Sequence, residues 1–183
     1  MMKLLMLMVD GFEDVEAFAT LDVLTRGGDD VTPVSLMGRK EVFPKVFPKA
    51  VTKYQIEEVD YKKFDGLIIP GGPGSFKIMP SIDLVDEIIK YYANKHKLVA
   101  AICAAPHLVG KLGYLFDKNY TVHPGFETKV VGGHYLRECG VVRDGDFITA
   151  KSMYYSIEFG LAIHEYFHGT NSRDKLEKSL QGE

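Results

Sequence analysis

The sequence predicts an α/β protein with a mostly parallel central sheet covered by helices on both faces. Short apolar runs alternate with amphipathic helical stretches, the pattern of βα units. Three of those runs, at residues 3–9, 66–70 and 98–102, are apolar almost throughout, as strands buried on both faces must be. At 183 residues the chain is long enough for one domain with a substantial core, and residues 1–169 read as that domain.

Each element follows from its local pattern. Strand 3–9 leads into a helix over residues 13–26, with Val15, Phe18, Ala19, Val23 and Leu24 expected on its core face and Gly27-Gly28 as its stop. A second strand spans 31–36. Between residues 38 and 60 Lys and Pro mix with Val and Phe, and Pro44 and Pro48 favour a hairpin or edge strands over central ones. Strand 66–70 ends in Gly71-Gly72-Pro73-Gly74. A helix over 80–95 carries Ile82, Val85, Ile88 and Ile89 as its stripe. The strand ending at Cys103 leads into a helix through Leu108, Val109 and Leu112. Short strands follow at 121–122, 141–142 and 147–150, then a last helix at 156–167. Residues 170–183 read as a polar tail, frayed or weakly helical.

Composition excludes several classes. A hydrophobic content of 46% and a charged content of 26% are those of an ordinary soluble globular domain, and no apolar stretch is long enough to span a bilayer. A net charge of −3 gives no electrostatic footprint for nucleic acid or an anionic membrane. Two cysteines make no disulfide framework, and a reactive thiol suits a reducing compartment, so the expected location is the cytoplasm. The apolar run at 4–9 is too short for a signal peptide and passes directly into Asp10-Gly11-Phe12-Glu13-Asp14.

In an open α/β sheet, sites form at the carboxyl ends of the strands. Three segments end there: Asp10-Gly11-Phe12-Glu13-Asp14-Val15-Glu16, Pro70-Gly71-Gly72-Pro73-Gly74, and Ala101-Ile102-Cys103-Ala104-Ala105-Pro106. Cys103 occupies a strand-to-helix corner flanked by small residues, the logic of a nucleophile elbow. Backbone N–H groups and the following helix's dipole are expected to favour its thiolate. The Gly71-Gly72 pair offers N–H groups able to approach a ligand oxygen, and Ala104 N–H is the natural second donor. Among Glu13, Asp14 and Glu16, spacing does not select the one that points inward; the others serve as acids in the first helical turn.

The histidines divide by context. His123 lies at a strand end near the site. His107 reads as a neutral, packed side chain, His134 as a turn residue and His96 as surface. His164-Glu165-Tyr166-Phe167-His168 matches H-E-x-x-H, which places two imidazoles on one helix face. Only a polar tail follows, with nothing better than Glu177 as a third ligand, so no metal is expected. Cys139 reads as an inert thiol in a loop.

Together these segments, with Asp65-Gly66-Leu67-Ile68-Ile69-Pro70-Gly71-Gly72, Gly132-Gly133-His134-Tyr135 and Ile157-Glu158-Phe159-Gly160-Leu161-Ala162-Ile163, resemble the ThiJ/PfpI superfamily of class I glutamine-amidotransferase-like proteins. The clade is that of the parkinsonism-associated protein deglycase, and the resemblance covers nearly the whole chain. It implies a flavodoxin-like three-layer α/β/α sandwich and a homodimer. It also implies Cys103 as nucleophile, Glu16 as the acid hydrogen-bonded to its sulfur, Gly72 and Ala104 as oxyanion donors, and His123 lining the pocket. The chain departs from that pattern at three places. Ala104 stands where the intracellular-protease branch has histidine, which removes a peptidase's nearest base. Ala105 replaces a frequent glycine. Residues 150–155 replace an Arg-Gly-Pro-Gly-like stretch, leaving Lys151 in place of a pocket arginine.

The expected function is a cofactor-independent glyoxalase or deglycase. It would convert 2-oxoaldehydes such as methylglyoxal, or their adducts on proteins and nucleotides, to 2-hydroxy acids through a cysteine hemithioacetal. The alternative is a redox-sensing, chaperone-like protein whose Cys103 is oxidised to sulfinate. Peptidase activity ranks last.

Overall fold

The computed structural model describes residues 1–183. The chain runs β1 (Lys3–Met8), α1 (Asp14–Arg26), β2 (Asp30–Ser35), β3 (Glu41–Val42), β4 (Ala50–Val51) and β5 (Tyr54–Gln55). It continues through β6 (Gly66–Ile69), α2 (Pro73–Lys77), α3 (Asp83–Asn94), β7 (Leu98–Ile102) and α4 (Pro106–Gly110). The last elements are β8 (Asn119–Tyr120), β9 (His134–Tyr135), β10 (Val141–Asp144), β11 (Phe147–Ala150), α5 (Ser156–His168) and α6 (Thr170–Gln181).

One sheet holds seven strands in the order β10-β11-β7-β6-β1-β2-β5, and every pairing except β10–β11 is parallel. Side-chain alternation along β1 builds two cores. Leu5, Leu7 and Val9 pack with Val85, Ile88 and Ile89 of α3 and Leu108 of α4. Leu4, Met6 and Met8 pack with Ala17 and Leu24 of α1 and with Phe159 and Ile163 of α5. The result is three layers, and each fully buried aliphatic side chain contributes about 1.5–3 kcal/mol. The chain leaves β1 toward β2 on one side and returns to β6 on the other, so a crevice opens at the carboxyl ends of these central strands.

Several local expectations change. The buried face of α1 is Glu16, Ala17, Thr20, Val23 and Leu24, while Val15 and Phe18 are exposed. An apolar pattern does not say which neighbour covers it, and here the sheet lies on the flank carrying Glu16. α3 begins at Asp83, because Met79–Ser81 forms a separate 3-10 turn containing Pro80. Thr121 and Val122 are buried, but the strand lies just before them, at Asn119–Tyr120. Residues 38–60 hold the antiparallel β3–β4 hairpin and the edge strand β5, as Pro44 and Pro48 suggested. The polar tail is α6. Its Leu176 packs with Val23 and Leu161, and Leu180 borders them, a stripe too sparse to see in a mostly charged segment.

Candidate active site

β7 ends at Ile102, and Cys103 takes φ 63°, a left-handed conformation costing a non-glycine residue about 1–3 kcal/mol. Two backbone bonds hold it there. Cys103 N–H donates to the Ala150 carbonyl and the Cys103 carbonyl accepts His123 N–H, each at 2.8 Å. Buried Ala104 and Ala105 let the chain turn tightly behind the sulfur. α4 is only five residues long, so its dipole is slight; the nearby N–H groups of Gly72 and Ala104 are what pull the thiol pKa down.

α1 turns Glu16 inward beneath the thiol, 1% exposed. Gly71 N–H donates to Glu16 Oε2 at 2.9 Å. Glu16 Oε1 is buried with no partner in good hydrogen-bond geometry, and the polar group beside the carboxyl is the Cys103 thiol. Burial therefore pushes Glu16 up to about 7, against the smaller opposing pull of Cys103 and Gly71. Cys103 is pushed up to about 12, first by burial and then by the Glu16 charge, which outweigh the N–H groups of Gly72 and Ala104. The expected thiolate preference is thus reversed while Glu16 is ionised. Protonation of Glu16 removes the charge that opposes the thiolate.

The glycine turn is fixed by close approach. A Cβ at Gly71 would lie 2.6 Å from both Cys103 Cβ and Glu16 Oε2. Gly72 has φ 86°, and a Cβ there would meet Glu13 N at 2.5 Å. Ser75 Oγ donates to the Gly72 carbonyl at 2.8 Å and pins the turn. Gly71, expected among the oxyanion donors, has its N–H occupied by Glu16, whereas Gly72 N–H makes no backbone hydrogen bond.

A cleft of about 260 Å³ opens over the sulfur, lined by Glu13, Lys45, Gly72, Pro73, Phe76, Cys103, Ala104, His123 and Phe126. It is smaller than the ~300–1,000 Å³ of pockets for drug-sized ligands. Larger clefts of about 400 and 430 Å³ lie elsewhere without a nucleophile, so chemistry rather than size marks the site. His123 stands exposed at the mouth, its Nδ1 3.1 Å from the Pro124 carbonyl oxygen and its ring against Phe126. His107 is buried, with Nδ1 2.7 Å from the Ala104 carbonyl oxygen, and burial pushes it down toward the neutral form. It steadies the elbow from behind.

Lys45 is the cleft residue that sequence reasoning missed, along with the pocket role of Glu13. Lys45 Nζ pairs with Glu13 Oε2 at 3.0 Å. The β3–β4 hairpin that carries it is tied over the site by Asp14, which accepts the N–H groups of Val46 and Phe47 at 3.0 and 2.7 Å. Asp10 does the same for Phe43 N–H and Arg39. Lys151 lies outside the cleft lining, its ammonium 5.9 Å from the Tyr155 ring centre. Cys139 and Cys103 are both free thiols. The irregular spacing of a hairpin tip left no signal for Lys45 beyond a lysine among prolines.

The DJ-1/PfpI family profile matches residues 2–166. Protein dj-1beta of Drosophila melanogaster is 30% identical over 177 residues, covering 96% of this chain and 95% of its own length. Glutathione-independent glyoxalase DJR-1.2 of Caenorhabditis elegans is 30% identical over 185 residues, covering 97% of this chain and 94% of its own. The crystal structure of Drosophila melanogaster DJ-1beta superposes with a TM-score of 0.91, covering 98% of this chain and 97% of that one. A profile match over most of the sequence, joined to a superposition over nearly all of the fold, shows that this protein belongs to the DJ-1/PfpI family.

Proposed function

We propose that the chain is a cofactor-independent glyoxalase acting on small 2-oxoaldehydes such as methylglyoxal, with deglycase action on their protein and nucleotide adducts as the same chemistry. The observation that carries this reading is the buried Glu16 carboxyl beside the Cys103 thiol, which opens on a cleft that Gly72 and Ala104 also line. The enzyme named glutathione-independent glyoxalase among its relatives agrees with it.

Glu16 as carboxylate takes the thiol proton while Sγ bonds to the aldehyde carbon. The carbonyl electron pair moves to oxygen, where the Gly72 and Ala104 N–H groups stabilise it until it is protonated as a hemithioacetal. Glu16 then carries a proton from that carbon to the neighbouring one through an enediol. The first carbon is oxidised to a thioester and the second reduced to an alcohol. Water cleaves the thioester, releasing lactate and the thiol. Net consumption is one water. A carboxyl pushed up to about 7 suits both halves of the proton transfer at neutral pH. His123, at the mouth, is in place to relay protons with solvent. Lys45, at the rim, supplies the positive charge that meets the product carboxylate.

Lactate formation from methylglyoxal without glutathione tests the reading. Wild type should turn over saturably, and Cys103→Ala, folded by circular dichroism, should lose all thiol-dependent turnover. A folded wild type with intact thiol and no turnover overturns it. The second reading, oxidation sensing, rests on a sulfur that borders a cleft with the Glu16 carboxyl and the Gly72 and Ala104 backbone beside it. Peroxide would then add two oxygens to Cys103, read by mass spectrometry, with Glu16 in its acid form donating to the sulfinate. The proposal also includes a homodimer and a reducing, cytoplasmic setting. No helix is long and apolar enough to cross a membrane.

A further inference from the structure

H-E-x-x-H in α5 lacked a third donor in the residues that follow it. The fold supplies one from 135 residues upstream. Asp29, in the turn between α1 and β2, has a fully buried carboxylate. Its Oδ2 lies 3.2 Å from His164 Nδ1, and its Oδ1 lies 2.8 Å from His168 Nε2. One donor atom from each of the three residues lies within 4.8 Å of the other two, and the imidazole centres are 4.4 Å apart.

A further observation asks for a cation here. A buried carboxylate ordinarily has a guanidinium or ammonium partner, yet the ion-pair partners of Asp29 are these two histidines alone. In addition, two helices end at the cluster. α5 finishes at His168, and α1 finishes beside His164, where a Cβ on Gly27 would lie 2.6 Å from Nδ1. The carboxyl ends of α1 and α5 thus lie at the cluster, together with the amino end of α6, whose Ser172 contacts His164 and whose dipole has the opposite sign.

We propose that Asp29, His164 and His168 form a structural site for a divalent ion of the zinc class. Tetrahedral bonds of about 2.0–2.1 Å place donor atoms about 3.3 Å apart. Asp29 meets the two imidazoles through different oxygens, at 3.2 and 2.8 Å, and one donor from each residue falls within 4.8 Å of the others, so the side chains must draw together to close around one ion. Two imidazoles and a carboxylate are donors of the right hardness. The outer partners are present as well. Ser172 Oγ lies 2.8 Å from His164 Nε2 and accepts its proton once Nδ1 binds the ion. Met2 N–H donates to Asp29 Oδ1 at 3.0 Å and orients the carboxylate. His168 is a quarter exposed, which leaves a path for the ion and a fourth position for water.

The site is a clamp, not a protease centre. Glu165, the base that H-E-x-x-H hydrolases use, instead accepts the Thr170 hydroxyl at 2.7 Å. The ion joins the α1–β2 turn to α5 directly, and α6 through Ser172.

The full chain, stripped with chelator, is titrated with zinc by calorimetry and melted with and without it. Wild type should take one zinc per chain and melt at a higher temperature with it. Cys103→Ala should keep both properties, Ser172→Ala should bind about 10- to 100-fold more weakly, and His168→Gln, at a partly exposed helix end, should lose the site. Cobalt in place of zinc should give visible d–d bands without thiolate charge transfer. A wild type that neither binds zinc nor gains melting temperature overturns the proposal. So does binding that survives His168→Gln or disappears in Cys103→Ala, because the ion would then sit elsewhere or on the thiol.

Discussion

Glu16 is nearly inaccessible, and one of its carboxyl oxygens is buried without a well-formed hydrogen bond. Its folded value of about 7 lies above the ordinary 4.5, so folding favours the neutral form. That contribution is complete below about 4.5 and is lost as pH rises through about 7. Glu16→Gln, which stays neutral, should match wild-type stability near pH 4 and exceed it by about 3 kcal/mol above pH 8. Urea midpoints across that range check this; a gap that does not change with pH would mean the carboxyl is not held neutral. Cys103 was legible in the sequence because an elbow is a local pattern of one buried strand and small residues. The choice among Glu13, Asp14 and Glu16 was not legible from spacing, since it depends on the phase of α1 against the sheet. The family resemblance chose Glu16, and the structure places it beside the thiol, with Asp14 under the hairpin and Glu13 on Lys45.

At the level of elements, the β3–β4 hairpin is rooted in the core by Val42 and Ala50, and its loop is held by two aspartates. Asp14→Ala removes the acceptor for two backbone N–H groups and should free the segment that carries Lys45. We expect KM for methylglyoxal to rise several-fold with kcat little changed, because the thiol, Glu16 and the glycine turn stay in place. Steady-state kinetics distinguish this from a loss in kcat, which would place the hairpin's role in the chemical step. α6 makes a separate prediction. Leu176 is 8% exposed, so Leu176→Ala should lower stability by about 2 kcal/mol. An unchanged thermal melt would mean that α6 contributes nothing to the fold. The hairpin was legible through its prolines and α6 was not, because two leucines in a charged segment carry little periodicity.

Across the whole molecule, Val15 and Phe18 of α1, Phe47 of the hairpin loop and Val51 of β4 leave large apolar side chains exposed. Phe18 and Val51 line one apolar groove with Met8, Ala17 and Leu21. In the proposed homodimer a second copy covers this face. Phe18→Glu should then give a monomer by light scattering, with the secondary structure intact; a wild type already monomeric at high concentration would remove the dimer from the reading.

The sequence alone determined the alternation of strands and helices, the doubly covered parallel sheet and the convergence of three turns on one thiol. Each follows from short-range periodicity or from small residues at a corner. Tertiary structure decided the rest. It set which face of α1 is buried, directed Lys45 rather than Lys151 to the cleft, and brought Asp29 to His164 and His168. It also reversed the expected protonation of Cys103. These outcomes depend on burial and on charges brought together from distant parts of the chain, which local pattern does not encode.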